Sequence, residues 1–200
     1  MPFDATPGGG GGGWSGPSLT GKMLIAMPVM GDPRFQKTLI YMCAHSPDGA
    51  LGLIVNKHAG QISFSDLLEQ LDMKCGPEAG QIRVQLGGPV ETGRGFILHT
   101  DDYALENVTM LVRDHIGLTT SIDILRDMAD GKGPQRAMVA LGYSGWGPGQ
   151  LEYEIRANAW LHCNADPDLI FSDEMETKWP RALALLGLDP GKLSGSAGNA

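Results

Sequence analysis

The chain has 200 residues, 42% of them hydrophobic, and a formal net charge of −8 at neutral pH. This length and apolar content are enough for one domain with a full hydrophobic core. Since acidic residues outnumber basic ones and the basic ones are scattered singly, broad attraction to nucleic acid or to anionic membrane surfaces is not expected.

The two ends of the chain differ in composition from its middle. The six glycines of residues 8–13 have no side chains to bury, and the last residues are small and polar. We interpret residues 1–17 as a flexible tail, 18–193 as a single domain and 194–200 as a flexible C terminus. No secretory signal pattern is visible, and the longest apolar run, MLIAMPVM, is too short to span a bilayer. Three cysteines without a disulfide framework favour a reducing compartment, so a soluble, cytoplasmic protein is predicted.

The first half of the domain is predicted to contain a strand, a hairpin and a short helix. The run KMLIAMPVM reads as a strand that Pro28 ends, because proline cannot donate to a β-ladder. The runs KTLIYMCAH and ALGLIVN flank the turn sequence SPDG, which predicts a hairpin from Lys37 to Asn56. A serine cap and leucines at helical spacing predict a helix from Ser63 to Leu71.

The second half begins with strands and continues with alternating helices and strands. Four strands are predicted, near Val84, Ile97, Met110 and Ile116. A capping-box pattern at Thr120 begins a helix that Gly131 ends. A buried strand RAMVALG, a short helix GQLEYEIRANAW leading into an extended WLHC, and a final helix PRALALLGL with proline in its first turn complete the chain. Because several strands follow one another before helices intervene, the predicted fold class is α+β, a single compact domain with a mixed, largely antiparallel sheet flanked by helices.

The segment LGYSGWGPGQ, Leu141 to Gln150, is the main candidate for a functional site. A serine nucleophile at Ser144 would need the pattern G-x-S-x-G, but Trp146 stands where the last glycine is required, and only His99 is placed at the rim of an element to act as its base. A phosphate loop is disfavoured because Pro148 lacks a donor and no lysine follows. A rigid structural turn, or the wall of a ligand pocket with Trp146 as its aromatic side, remains open.

Other chemistry has weaker signals. Cys43 with His45, and His162 with Cys163, form two Cys/His pairs whose spacing differs from the usual zinc patterns, so no metal site and no cofactor are predicted. The sequence also contains no pair of helices with the pattern of a helix-turn-helix. Direct binding to nucleic acid and insertion into a membrane are therefore not expected.

Five segments of the chain, LTGKMLIAMPVMGDPRF, GALGLIVNK, LGGPVETGRGFILHT, TTSIDIL and LGYSGWGPGQLEYEI, resemble in that order the hallmarks of the bacterial AlgH or YqgE-like family. The resemblance runs from about Leu19 to Leu188. It implies one compact α+β domain around a mixed sheet, and it supplies no catalytic residues. Members of this largely uncharacterised family are often labelled transcriptional regulators, without a recognised DNA-binding motif. The family's recurring polar positions match Asn56, Arg94, His99, Ser121, Asp123, Ser144, Gln150 and Glu152.

These observations predict a cytoplasmic binding or regulatory protein that acts through a protein or small-ligand contact near the glycine-rich segment. The candidate binding residues are Asn56, His99, Ser144, Trp146, Gln150 and Glu152. The alternative is a hydrolase-like enzyme that uses Ser144 with His99. No catalytic residue is assigned, and the partner, whether a protein or a small molecule, is not identified by the sequence.

Overall fold

The computed structural model describes residues 16–76 and 82–193. The interpretation of residues 1–15 and 194–200 as flexible therefore lies outside the described residues. The strands are β1 (Lys22–Ala26), β2 (Leu39–Ser46), β3 (Gly49–Ile54), β4 (Val84–Leu86), β5 (Val90–Thr100), β6 (Met110–Arg113), β7 (Ile116–Thr119), β8 (Ala137–Trp146) and β9 (Trp160–Asn164). The helices are α1 (Phe64–Gln70), α2 (Ile122–Ala129), α3 (Gln150–Arg156), α4 (Pro167–Phe171) and α5 (Met175–Leu185).

The strands form one curled sheet in the order β6-β7-β5-β8-β3-β2-β1-β9, and β4 pairs with β8 outside this path. Neighbours on the path are antiparallel, whereas β4 and β8 are parallel, with Gln85 opposite Ala140. β4 and β3 lie one after the other along the same edge of β8. β4 pairs with residues 139–141 of β8, and β3 pairs with the last residues of β8, from Ser144 to Trp146. The predicted α+β fold with a mixed, largely antiparallel sheet is confirmed.

Helices cover both faces of the sheet. One face carries α4 and α5, which bury Ile170, Trp179 and Leu183 against it. On the opposite face, α3 covers the half formed by β1, β2 and β3, while α1 and α2 cover the half formed by β4, β5 and β8. The sheet thus separates one large core from two smaller ones, and each strand near its centre is buried on both sides.

Local sequence signals explain most of the element boundaries. Ser63 caps α1 in a reciprocal capping box with Asp66. The predicted cap of α2 at Thr120 is wrong by one residue, because the side chain of Ser121 accepts from the backbone N–H of Asp123 and caps this helix. The predicted hairpin over residues 37–56 is confirmed as β2 and β3. The final helix differs from the prediction, because α5 begins at Met175 and holds Pro180 in its interior. Burial of Met175 and of the turn that follows it outweighs the one backbone hydrogen bond that proline cannot donate.

Candidate functional site

Ser144 lies inside a strand and not at a turn. β8 continues through Trp146, where Ser144 pairs with Gly52 of β3 and is fully buried. Its hydroxyl donates to the carbonyl oxygen of Gly87 at 3.3 Å. The strand-to-helix turn follows later, at residues 147–149. Ser144 therefore lacks the exposed, strained position that a serine nucleophile occupies.

Two glycines, Gly88 and Gly142, allow the backbone after β4 to cross the backbone of β8 at close range. Gly142 has a left-handed φ of 70°, and a Cβ atom there would lie 2.5 Å from the carbonyl oxygen of Gly88. A Cβ atom on Gly88 would in turn collide with the backbone of Tyr143 and Ser144. The chain that leaves β4 can thus pass directly over β8 only because both positions lack side chains. These glycines are explained by packing.

His99 is buried in a chain of neutral hydrogen bonds on β5. Its Nδ1 donates to the carbonyl oxygen of Thr100 at 2.8 Å, so Nε2 accepts from the hydroxyl of Thr119 at 2.9 Å. Burial lowers the pKa of His99, which favours this neutral form. His99 pairs with Ala137, which lies seven residues before Ser144 on β8. At a rise of about 3.3 Å per residue, Ser144 is therefore about 23 Å along the strand from the position opposite His99. The Ser–His pair that the hydrolase hypothesis requires does not form.

Trp146 faces the core, and its indole N–H is bound by Glu154 of α3. One carboxylate oxygen of Glu154 accepts from Nε1 of Trp146 at 2.9 Å and from Nε1 of Trp160 at 2.7 Å. The other oxygen accepts from the side-chain amide of Gln150 at 2.9 Å, whose own carbonyl accepts from the backbone N–H of Gly147. Gln150 is exposed, yet its polar groups are engaged in holding the turn before α3.

Glu152 is buried and paired with a histidine that the sequence did not connect to it. Its Oε1 lies 2.7 Å from Nε2 of His45, and the two side chains are only 6% and 3% exposed. Nδ1 of His45 accepts from the backbone N–H of Leu19 at 2.9 Å, which places the ring proton on Nε2 and directs it to the carboxylate. This pair fixes the segment at Leu19 against β2 and α3.

Asn56 lies at a cleft between the end of β3 and α5, which we call the Asn56 cleft. Its Oδ1 accepts from the backbone N–H of Leu39 at 2.8 Å, and its Nδ2 donates to the carbonyl oxygen of Lys37 at 2.9 Å. The cleft has a volume of about 580 Å³, and its lining includes Lys37, Asn56, Lys57, His58, Met175 and Trp179. Asn56 is thus a candidate residue that lines an open cavity.

A second cavity lies beside the glycine-rich segment, between α1, α2 and the sheet, and we call it the corner groove. Its volume is about 260 Å³, and its lining includes Leu67, Gly95, Ile97, Ile122, Leu125 and Leu141. Leu71 and Ile122 at its rim are 43% and 51% exposed. Gly93 and Gly95 lie on β5 with no atom within 4 Å of the position of a Cβ. The groove is therefore an open, mostly apolar recess.

Sequence reasoning missed Lys178, which is fully buried on α5. Its ammonium donates to the carbonyl oxygens of Val55 at 2.7 Å and Ile170 at 2.8 Å. Burial lowers its pKa to about 8, because the charged form is taken out of water. A signal was present, since Lys178 falls between Met175 and Ala182 on the apolar stripe of the helix.

The described residues contain no group of three or more histidine, cysteine, aspartate or glutamate side chains that could hold a metal ion. Cys43 and Cys163 are buried free thiols, and Cys75 is exposed. Burial raises the pKa of Cys43 and of Cys163, so neither thiol is activated as a nucleophile. Within ranges 16–76 and 82–193, no helix is long and apolar enough to cross a membrane.

Comparisons with known proteins agree with the resemblance in the sequence. A sequence model of the family described as AlgH-like matches residues 23–191. A UPF0301 protein of Bradyrhizobium diazoefficiens is 54% identical over 189 residues, which cover 91% of this chain and 88% of that protein. A UPF0301 protein of Cereibacter sphaeroides is 53% identical over 182 residues, 91% of this chain and 99% of that one.

Two solved structures share the fold. The solution structure of AlgH from Pseudomonas aeruginosa has a TM-score of 0.76 and 39% identity, and the match covers 94% of this chain and 99% of AlgH. A crystal structure of a Corynebacterium diphtheriae protein has a TM-score of 0.69 at 17% identity over 90% of this chain and 91% of that one, which shows the fold alone.

Proposed function

The chain belongs to the AlgH-like family, and we propose that it acts as a binding protein that receives an apolar group of a small ligand or protein partner in the corner groove. The observation that carries this proposal is that two glycines, Gly93 and Gly95, line the groove and leave it empty. Gly93 and Gly95 have neither a left-handed φ nor a close neighbour that would require glycine. Glycine within a strand costs roughly 0.5–1 kcal/mol relative to alanine. Their use here keeps the recess open at the expense of local stability.

The size and lining of the groove support an apolar ring as the group that enters it. An apolar cavity of about 150 Å³ holds one benzene molecule, so a recess of about 260 Å³ has room for a bicyclic ring. Thr120 and Gln70 at the rim supply exposed polar groups around the apolar walls. An apolar interior with a few polar atoms at its mouth is the usual form of a binding pocket.

Filling the groove provides the test. A valine side chain at Gly95 would occupy empty space, so Gly95→Val is expected to fold and to block the recess. Gly31→Val is the matched control, because a Cβ at Gly31 also meets nothing within 4 Å and Gly31 lies outside the groove.

We expect indole, titrated into isotope-labelled protein, to shift the amide signals of Gly95 and Ile122. Binding should weaken at least tenfold in Gly95→Val and stay unchanged in Gly31→Val. Equal binding by both variants, or shifts confined to other surfaces, would refute the proposal.

The net charge of −8 argues against direct binding to DNA. A gel shift with duplex DNA that persists at physiological salt would contradict this part of the proposal. The two buried thiols also support placement in the reducing cytoplasm.

The buried position of Ser144 supports a binding role over hydrolysis. A serine-directed phosphonate is therefore expected to leave the folded protein unlabelled. Labelling that is lost in Ser144→Ala would favour the hydrolase alternative instead.

A further inference from the structure

We propose that the Asn56 cleft is a second binding site, separate from the corner groove, for a small ligand that joins a phosphate or carboxylate group to an apolar body. The cleft lies on the face of the sheet that carries α5, whereas the corner groove lies on the face that carries α1 and α2. Its charges, its fixed backbone and its apolar wall each point to this class of ligand.

Two lysines without a carboxylate in contact line the cleft. Lys37 and Lys57 lie there together with the imidazole of His58; Glu176 is the acidic residue of the lining, and Asp32 is near enough to interact electrostatically with Lys57. Lys178 lies behind the wall and also bonds only to carbonyl oxygens. In the part of the chain that the structure describes, none of these three lysines has a carboxylate within 4.0 Å, although six arginines elsewhere do: Arg34, Arg83, Arg94, Arg126, Arg136 and Arg181. The ammonium groups of Lys37 and Lys57 are therefore not neutralised by a contacting carboxylate, while Lys178 adds positive charge from behind the wall.

The lysines of the cleft are held by neutral groups, which position them without cancelling their charge. Lys57 donates to the carbonyl oxygen of Arg34 at 2.7 Å. Lys37 has a left-handed φ of 52°, a conformation that costs about 1–2 kcal/mol for a residue with a Cβ. The side chain of Asn56 stabilises it by bonding the carbonyl oxygen of Lys37, and the ammonium then lies 5.9 Å from the ring centre of Trp179.

The opposite wall of the cleft is apolar. Met175, Trp179, Pro180 and Pro190 form this side, and Trp179 is itself fixed by a hydrogen bond of 2.8 Å from its indole N–H to the carbonyl oxygen of Ala26. An anionic group can therefore face the lysines while an aromatic or aliphatic body packs against the wall. A volume of about 580 Å³ lies in the range of small-molecule sites.

Phenyl phosphate is the probe that tests the proposal, with inorganic phosphate and phenol as its two halves. In an amide-shift titration of the full chain, phenyl phosphate is expected to move the signals of Lys37, Asn56 and His58. It should bind at least tenfold more tightly than either half. Shifts that are absent, or that spread evenly over the surface, would overturn the proposal.

Charge-removing variants separate a specific site from general attraction. Lys37→Asn removes the charge but tolerates the left-handed backbone, and Lys57→Gln keeps a hydrogen-bond donor. The matched control is the double variant Lys22→Gln/Lys74→Gln, because neither lysine lines the cleft and neither has a carboxylate within 4.0 Å among the described residues; Lys22 donates to the neutral side chain of Asn164. We expect the double variant Lys37→Asn/Lys57→Gln to lose at least tenfold in affinity and Lys22→Gln/Lys74→Gln to lose less than twofold. Equal losses would show general electrostatics and overturn the site. Gly95→Val, which blocks the corner groove, should leave this binding unchanged.

Discussion

Replacing the buried Lys178 by methionine is expected to remove a rise in stability at alkaline pH. Burial lowers the pKa of Lys178 from 10.5 to about 8 in the folded protein. Below pH 8 both states bind the proton, and the folded state bears the full cost of a buried ammonium. Between about pH 8 and 10.5 the unfolded chain binds a proton that the folded chain has released, so the free energy of unfolding rises with pH. The difference of about 2.5 pH units corresponds to about 3 kcal/mol.

Urea unfolding followed by tryptophan fluorescence from pH 7 to 10.5 measures this effect. Tyr41 and Cys43 act in the opposite direction, because burial raises the pKa of both groups and the unfolded chain loses their protons first. They are present in both proteins, so the free energy of unfolding of the wild type minus that of Lys178→Met isolates the lysine. That difference should increase by about 3 kcal/mol across the window. A flat or falling difference would refute the assignment of Lys178 as a buried ammonium.

Three further substitutions test the packing of the core. Tyr41→Phe removes a buried hydroxyl that has no partner among the described residues, and should raise the free energy of unfolding in urea by about 1 kcal/mol; a loss of stability would contradict this. Glu154→Leu leaves two buried indole N–H groups unpaired and should cost about 2–4 kcal/mol, so a loss below 1 kcal/mol would show that water replaces the carboxylate. Gly117→Ala places a Cβ 2.8 Å from Cε1 of His99; a fall in the melting temperature of several degrees and a shifted ring signal of His99 are expected, and unchanged values would refute the contact.

Local patterns predicted most elements of the fold, but long-range pairing was not readable from them. The turn at SPDG and the cap at Ser63 act over a few residues, so they located the hairpin and α1, and the local pattern near Thr120 located α2 to within one residue of its cap, Ser121. The insertion of β4 beside β8 depends on contacts between residues more than fifty positions apart, such as Gln85 with Ala140. The interior position of Pro180 reflects tertiary burial that overrides helix propensity.

The sequence did not show which candidate side chains are accessible. It left open whether the glycine-rich segment is a rigid turn or the wall of a pocket, and the structure buries Ser144, Trp146 and Glu152. Residue type alone does not show on which side of a strand or helix a side chain lies when both sides are covered. Asn56 was selected from the resemblance, and the structure places it at an open cleft whose lysines have no sequence motif. The partners His45 and Glu154 emerge only from the packing of α3 on the sheet.

The central position of β8 has a consequence for how the chain is made. β8 hydrogen-bonds to β3, β4 and β5, all of which are synthesised before it. Until residues 137–146 emerge from the ribosome, the earlier strands form two groups, β1 to β4 and β5 to β7, and no pairing among the described residues connects them. Both groups then present unpaired edges that attract other chains. The nascent protein is therefore exposed to aggregation before β8 emerges; β8 then joins the two groups, and β9 covers the remaining edge of β1.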